Sequence, residues 1–162
     1  MSVSSIIITV KASFQYRLGA FIFNSGVGRW HHSLHEFSMT RLQRSADAGH
    51  IKALLLIGQL LKYRGVSLKN KQAGVKYLHS AASKGLMDAQ FMLAEALTDD
   101  ALQLKTDNET QILALYEQAA QQGHIMAALR LKKAYINGLW GAQPDQQQAD
   151  YWSEQFLKSS NR

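Results

Sequence analysis

The 162 residues contain no cysteine, which excludes disulfides, thiolate metal sites and a cysteine nucleophile. Proline is nearly as scarce. Pro144 is the only one, so long helices can run without interruption. Catalytic signatures are missing too: no Gly-x-Ser-x-Gly elbow presents a nucleophilic serine. Gly26-Val27-Gly28 is too short for a dinucleotide fingerprint and follows a helical segment. Asp99, Asp100 and Asp107 lack the spacing of a calcium loop and read as solvated turn charges. Long charge runs and long apolar runs are also lacking. Residues 6–10 are apolar but short, and no apolar run approaches the roughly 20 residues of a membrane span. Residues 1–5 carry none of the positive charge of a secretory n-region. These absences set the expectation of a cytoplasmic protein with no cofactor and no membrane span. A periplasmic setting is the alternative.

What is present is an ordinary globular balance, 46% hydrophobic and 19% charged, with a mild basic excess of +6. A short phrase recurs along the chain. Ala81-Ala82-Ser83-Lys84-Gly85 is matched by Ala119-Ala120-Gln121-Gln122-Gly123 and, less closely, by Ser45-Ala46-Asp47-Ala48-Gly49. The glycines fall 36 and 38 residues apart, a period that marks stacked helical hairpins.

Helical periodicity between the glycines fills in the hairpins. Residues 1–12 read as a short, loosely held N-terminal segment. A helix is expected from about Ser13, with Phe14, Leu18, Phe21 and Ile22 on its inner face, closing at Gly26 and Gly28. A second helix, over about 29–48, turns Trp30, Leu34, Phe37, Arg41, Leu42 and Ser45 inward. Later segments bury Ala53, Ile57 and Leu61, then Ala73, Tyr77, Leu78, Ala81 and Ala82, then Ala89, Leu93 and Ala96. Thr106 to Glu109 reads as a capping box before a helix holding Ile112, Tyr116 and Ala119. Pro144 stands at the start of the last helix, where its missing N–H costs nothing. The hairpins fall at about 13–48, 49–84, 85–122 and 123–159 within one domain, 13–159.

Laid over one another, Leu18-Gly19, Ile57-Gly58, Leu93-Ala94 and Leu131-Lys132 share one repeat position. A small residue there lets two helices cross closely. The pattern resembles the Sel-1-like repeat family, relatives of the tetratricopeptide repeats. Ala53, Ile57-Gly58, Leu61, Gly65, Ala73, Tyr77, Ala81-Ala82 and Gly85 match best. Ala94, Ala101 and Lys132 depart from the pattern, as does Phe14 where alanine is usual. The resemblance implies an all-α, right-handed superhelical solenoid of about four hairpins. It also implies a non-enzymatic adaptor that binds a protein or peptide on the concave face lined by each hairpin's first helix.

Two positions either side of the Leu-Gly pair give the candidate groove: Tyr16, Leu55, Gln59, Phe91, Glu95, Leu129 and Lys133, with Lys52, Asp88 and Arg130 alongside. An apolar centre edged by both charge signs suits a peptide or a partner helix. Packing between neighbouring hairpins is the other reading of Leu55, Phe91 and Leu129. A homodimer through the end repeats is a further arrangement open to such an array.

Two readings of other classes remain. His31 and His35, four apart, have the spacing with which two imidazoles share a zinc, though no third ligand lies near in sequence. Lys69, Lys71, Arg130, Lys132 and Lys133 are candidates for nucleic-acid contact, but they read mostly as solvated helix faces. His50 and His124 each follow a repeat glycine, and repeat position accounts for them better than chemistry does. His79 reads as a surface residue.

Overall fold

A computed structural model describes residues 3–25, 31–104 and 109–160, apart from the side chains at 3 and 159. Among these residues there are eight α-helices and no strand: α1 (Val3–Asn24), α2 (His32–Asp47), α3 (Ile51–Arg64), α4 (Leu68–Ala82), α5 (Met87–Leu97), α6 (Glu109–Gln121), α7 (Ile125–Asn137) and α8 (Gln146–Ser160). A short 3-10 helix, Asp100–Leu102, follows α5. The architecture is the expected all-α helical repeat. The chain forms two compact units, Met1–Ala81 and Ala82–Arg162, each holding two hairpins.

The repeat glycines do what the spacing predicts. Gly49, Gly85 and Gly123 have φ of 82°, 83° and 95°, the left-handed region open to a residue without Cβ. At Gly49 and Gly123 the helix closes in a Schellman motif. The Gly49 N–H donates to Ala46 O and the His50 N–H to Ser45 O; the Gly123 N–H donates to Ala120 O and the His124 N–H to Ala119 O.

In the first unit helices cross closely at glycines. A Cβ on Gly19 would lie 2.9 Å from Leu42 Cγ and 3.0 Å from Ser38 O; one on Gly58 would lie 2.9 Å from the Leu78 side chain. Gly74, which the sequence pattern did not single out, faces bare backbone: its Cβ would lie 2.8 Å from Gly58 O. Leu42, Ile57 and Leu78 are fully buried around these crossings, as are Tyr116 and Leu131 in the second unit. Gly65 works differently from a left-handed cap, with φ −63°; the space beside Leu61 O leaves no room for a side chain.

Several expectations change. α1 begins at Val3, so residues 3–12 are helix and not a loose lead-in. Its packed face is Ala12, Gln15 and Gly19, while Phe14 and Phe21, expected inside, are 61% and 73% exposed. The physical reason is that α1 is apolar around most of its circumference, so periodicity cannot choose a face. The choice falls to small residues that let α2 approach, and to two polar bonds. Ser45 Oγ donates to Ala12 O at 2.7 Å, and Arg41 donates to Gln15 Oε1 at 3.0 Å. By length and composition Ser4–Asn24, with a mean hydropathy of 1.3 over its best window, is long and apolar enough to cross a membrane. The five-residue run noticed in the sequence understated it.

In α2, Ser38, Leu42, Ser45 and Ala46 are buried, whereas Phe37 is on the outside with the Arg41 guanidinium 4.6 Å from its ring centre. α8 starts after Asp145, whose Oδ1 accepts the N–H groups of Gln147 and Gln148. Asp145, next after Pro144, therefore caps the last helix where the sequence places its start. Gly26, Gly28, Trp30 and residues 106–108 of the capping box lie outside the described residues.

Candidate functional site

The second unit brings most of its candidate residues together. The Arg130 guanidinium grips Glu95 with two bonds, Nε to Oε1 at 2.7 Å and Nη2 to Oε2 at 2.9 Å. This fork geometry is the strong form of a charge-assisted pair. Tyr116, fully buried on α6, donates its hydroxyl to the same carboxylate at 2.6 Å. Burial first, and then the bond to Glu95, hold the Tyr116 phenol well above its ordinary pKa, so it stays a donor. Arg130 is shifted upward too, chiefly by its bond to Glu95.

Beside this cluster opens a half-enclosed cavity of about 110 Å³ walled by Glu95, Thr98, Tyr116, Arg130, Lys133 and Trp140, with Leu139 at its edge. Trp140 lies in the turn between α7 and α8, 4.8 Å from the Tyr116 ring centre. Its φ of 55° is unusual for a large residue. Sequence reasoning did not place Trp140 here; the flanking Gly138 and Gly141, both with positive φ, were the available signal of a sharply turned loop.

Phe91 and Tyr16 share one repeat position and meet one fate. Phe91 stacks on His124 at 4.2 Å, and Tyr16 stacks on His50 at 4.6 Å. Each histidine sits at the N-cap of its helix, where Nδ1 accepts a backbone N–H: Ala53 to His50 at 3.4 Å and Ala127 to His124 at 3.2 Å. Desolvation lowers the pKa of both imidazoles; Lys52 adds to the lowering at His50, while Asp88 opposes it at His124. Asp88 Oδ1 is 3.9 Å from His124 Nε2. Tyr16 and Phe91 are thus parts of a joint between hairpins, with less of their rings free than the groove reading expected.

The remaining candidates are dispersed. In the first unit Lys52 is exposed, and Leu55 and Gln59 are half-buried. In the second, Leu129 is 37% exposed and lies outside the cavity wall. Among the nucleic-acid candidates Arg130 is engaged by Glu95, and Lys132 donates to Ser153 at 3.1 Å. His31 is the N-cap of α2 with extended backbone, so it does not share a helical face with His35. His35 instead tilts against Phe23, on the wall of a cleft of about 260 Å³ with Met39, Leu60 and Arg64. Among the described residues no three histidine, aspartate or glutamate side chains converge to hold a metal ion. His79 is exposed.

No family model matches the chain, and no curated protein matches it. Solved structures do. A Sel1 repeat protein from Oxalobacter formigenes is 26% identical over 91% of this chain and 58% of its own, with a TM-score of 0.71. A protective antigen of uropathogenic Escherichia coli with an SLR fold is 24% identical over 93% of this chain and 34% of its own, with a TM-score of 0.69. An immunity protein from Pseudomonas aeruginosa is 22% identical over 75% of this chain and 45% of its own, with a TM-score of 0.56. The chain spans little more than half the length of the first of these and about a third of the second. The signature read at Ala53, Gly58, Tyr77 and Gly85 and the likeness to these structures agree: the chain has the fold of Sel1-like repeat proteins and resembles them in its repeat pattern.

Proposed function

We propose that the protein is a non-enzymatic adaptor that binds a peptide or partner protein, and that the second unit contributes the face bearing Glu95, Arg130, Lys133 and Trp140. Repeat proteins of this fold are built to present surfaces to other proteins. The observation that carries the assignment to this face is the cavity of about 110 Å³, with both charge signs and two aromatic rings on its wall. Glu95 and Arg130 neutralise each other, leaving Lys133 as the net charge of the wall. Trp140 supplies the rigid apolar surface that interface hot spots favour. Asp88 and Leu129 would edge the partner; on the first unit, Lys52, Leu55 and Gln59 form a candidate face of their own.

Phe91 is a poor probe of this reading, because truncating it also dismantles the His124 stack. Lys133→Glu and Leu129→Ser change exposed side chains and leave the joints intact. Cross-linking in cells followed by mass spectrometry is expected to recover one protein with the wild type and to lose it with both variants. Equal recovery with wild type and both variants would remove this face from the function.

A further inference from the structure

The outer side of α1 carries several large apolar side chains in the open. Ile7, Val10, Phe14 and Phe21 lie at spacings of three, four and seven residues, and each is 61–73% exposed. These intervals align them in one stripe, turned away from Ala12, Gln15 and Gly19, which pack on α2. Over Ser4–Asn24 the helix is about 31 Å long.

Charge indicates what covers this stripe. α1 contains Lys11 and Arg17 and no acid. Two copies packed through this face would bring cations together with nothing on either helix to neutralise them. Residues 1–81 hold 11 lysines and arginines against 2 acids, a net +9, while residues 82–162 hold 7 against 10, a net −3. Such asymmetry between halves points to an anionic surface as partner. On the flank of α1 that meets α2 lies a cavity of about 380 Å³, lined by Ile8, Lys11, Ala12, Gln15, Arg44 and Ala48: two cations and no acid. An exposed apolar stripe and a cationic recess on the same helix together match a lipid surface, where acyl chains meet phosphate headgroups. Nucleic acid would use the charge but not the stripe. A membrane-spanning α1 would have to give up the Ser45–Ala12 and Arg41–Gln15 bonds, whereas a helix lying in the interface keeps them.

We propose that α1 docks the protein on the surface of an anionic membrane, with Ile7, Val10, Phe14 and Phe21 inserted among the acyl chains and Lys11 and Arg44 holding a lipid phosphate. The test is co-sedimentation of the full chain with vesicles of equimolar phosphatidylcholine and phosphatidylglycerol, against vesicles of phosphatidylcholine alone. Binding to the anionic vesicles is expected to fall roughly tenfold or more in Phe14→Ser/Phe21→Ser and in Lys11→Gln/Arg44→Gln. Leu157→Ser, an exposed apolar change on α8, is expected to leave it unchanged, and circular dichroism checks that all variants are folded. Four outcomes would overturn the proposal. One is no vesicle binding. Another is binding that both double variants retain. A third is resistance of the bound protein to carbonate extraction, which would mean a spanning helix. The last is displacement by inorganic phosphate beyond that by chloride of equal ionic strength, which would make the recess a free-phosphate site. A dimer that Phe14→Ser/Phe21→Ser dissociates, without vesicle binding, would assign the stripe to a second copy.

Discussion

The two units solve one packing problem with different means. In the first, helices cross at glycines: Gly19 against Leu42, Gly58 against Leu78, and Gly74 against the backbone of α3. In the second, Ala94 and Lys132 occupy the positions equivalent to Gly19 and Gly58, and a polar lock of Tyr116, Glu95 and Arg130 ties α5, α6 and α7 together. Close backbone approach replaces side-chain volume in one case; hydrogen-bonded charge fills it in the other. A repeat signature therefore fixes where helices meet, not what holds them there.

The sharpest way to break this contrast is to exchange its terms. Gly58→Ala places a methyl against Leu78 and should destabilise the protein by about 2–3 kcal/mol in urea unfolding. The reverse change, Ala94→Gly, removes a methyl where one already fits and should cost only about 1 kcal/mol. Equal effects would mean the two crossings do not differ.

Removing the lock comes next. Glu95→Ala leaves the buried Tyr116 hydroxyl and Arg130 without their acceptor, with an expected loss of roughly 1–2 kcal/mol, moderated because Arg130 is partly exposed. Tyr116→Phe in the Glu95→Ala background should then cost less than Tyr116→Phe alone. Additive losses in that double-mutant cycle would show that the three side chains do not act as one lock.

The smallest effect concerns the feature both units share. His50 and His124 have folded pKa values lowered below 6.5, so the unfolded chain binds their protons more readily. Their contribution to stability is complete above the unfolded value and is lost as pH falls from about 6.5 through the folded value. Protonation at Nδ1 also removes the acceptor for the Ala53 and Ala127 N–H groups. The double variant His50→Asn/His124→Asn keeps an N-cap acceptor and should flatten the stability slope between pH 7 and pH 5 relative to wild type. An unchanged slope would assign that pH dependence to the carboxylates.

What the sequence made legible follows from how local each feature is. Gly49, Gly85 and Gly123 were readable because a left-handed cap is a property of one residue and its own helix. The all-α repeat and most of its buried alanines followed from period alone. The inner face of α1 was not readable, since in a helix apolar on nearly all sides the sequence does not tell the packed side from the exposed one. Nor was the Tyr116–Glu95–Arg130 lock, whose members sit 21 and 35 residues from Glu95 along the chain and meet only through tertiary packing. Glu95 and Arg130 were picked out as lining residues, but that they engage each other is information the spacing does not contain. The His50 and His124 caps were half-visible: their place after the glycine was plain, their stacking partners were not.

The cap glycines also have a bearing on how arrays of this kind change in length. Nothing lies within 4 Å of where a side chain on Gly85 or Gly123 would project, so each is demanded by its own backbone angle and by no neighbour. A seam that makes no demands on its surroundings can be cut and rejoined. Recombination between two such glycines would insert or delete a whole hairpin in register, leaving every remaining helix with its own closing turn. Proteins built this way can therefore differ by whole repeats while each hairpin stays intact.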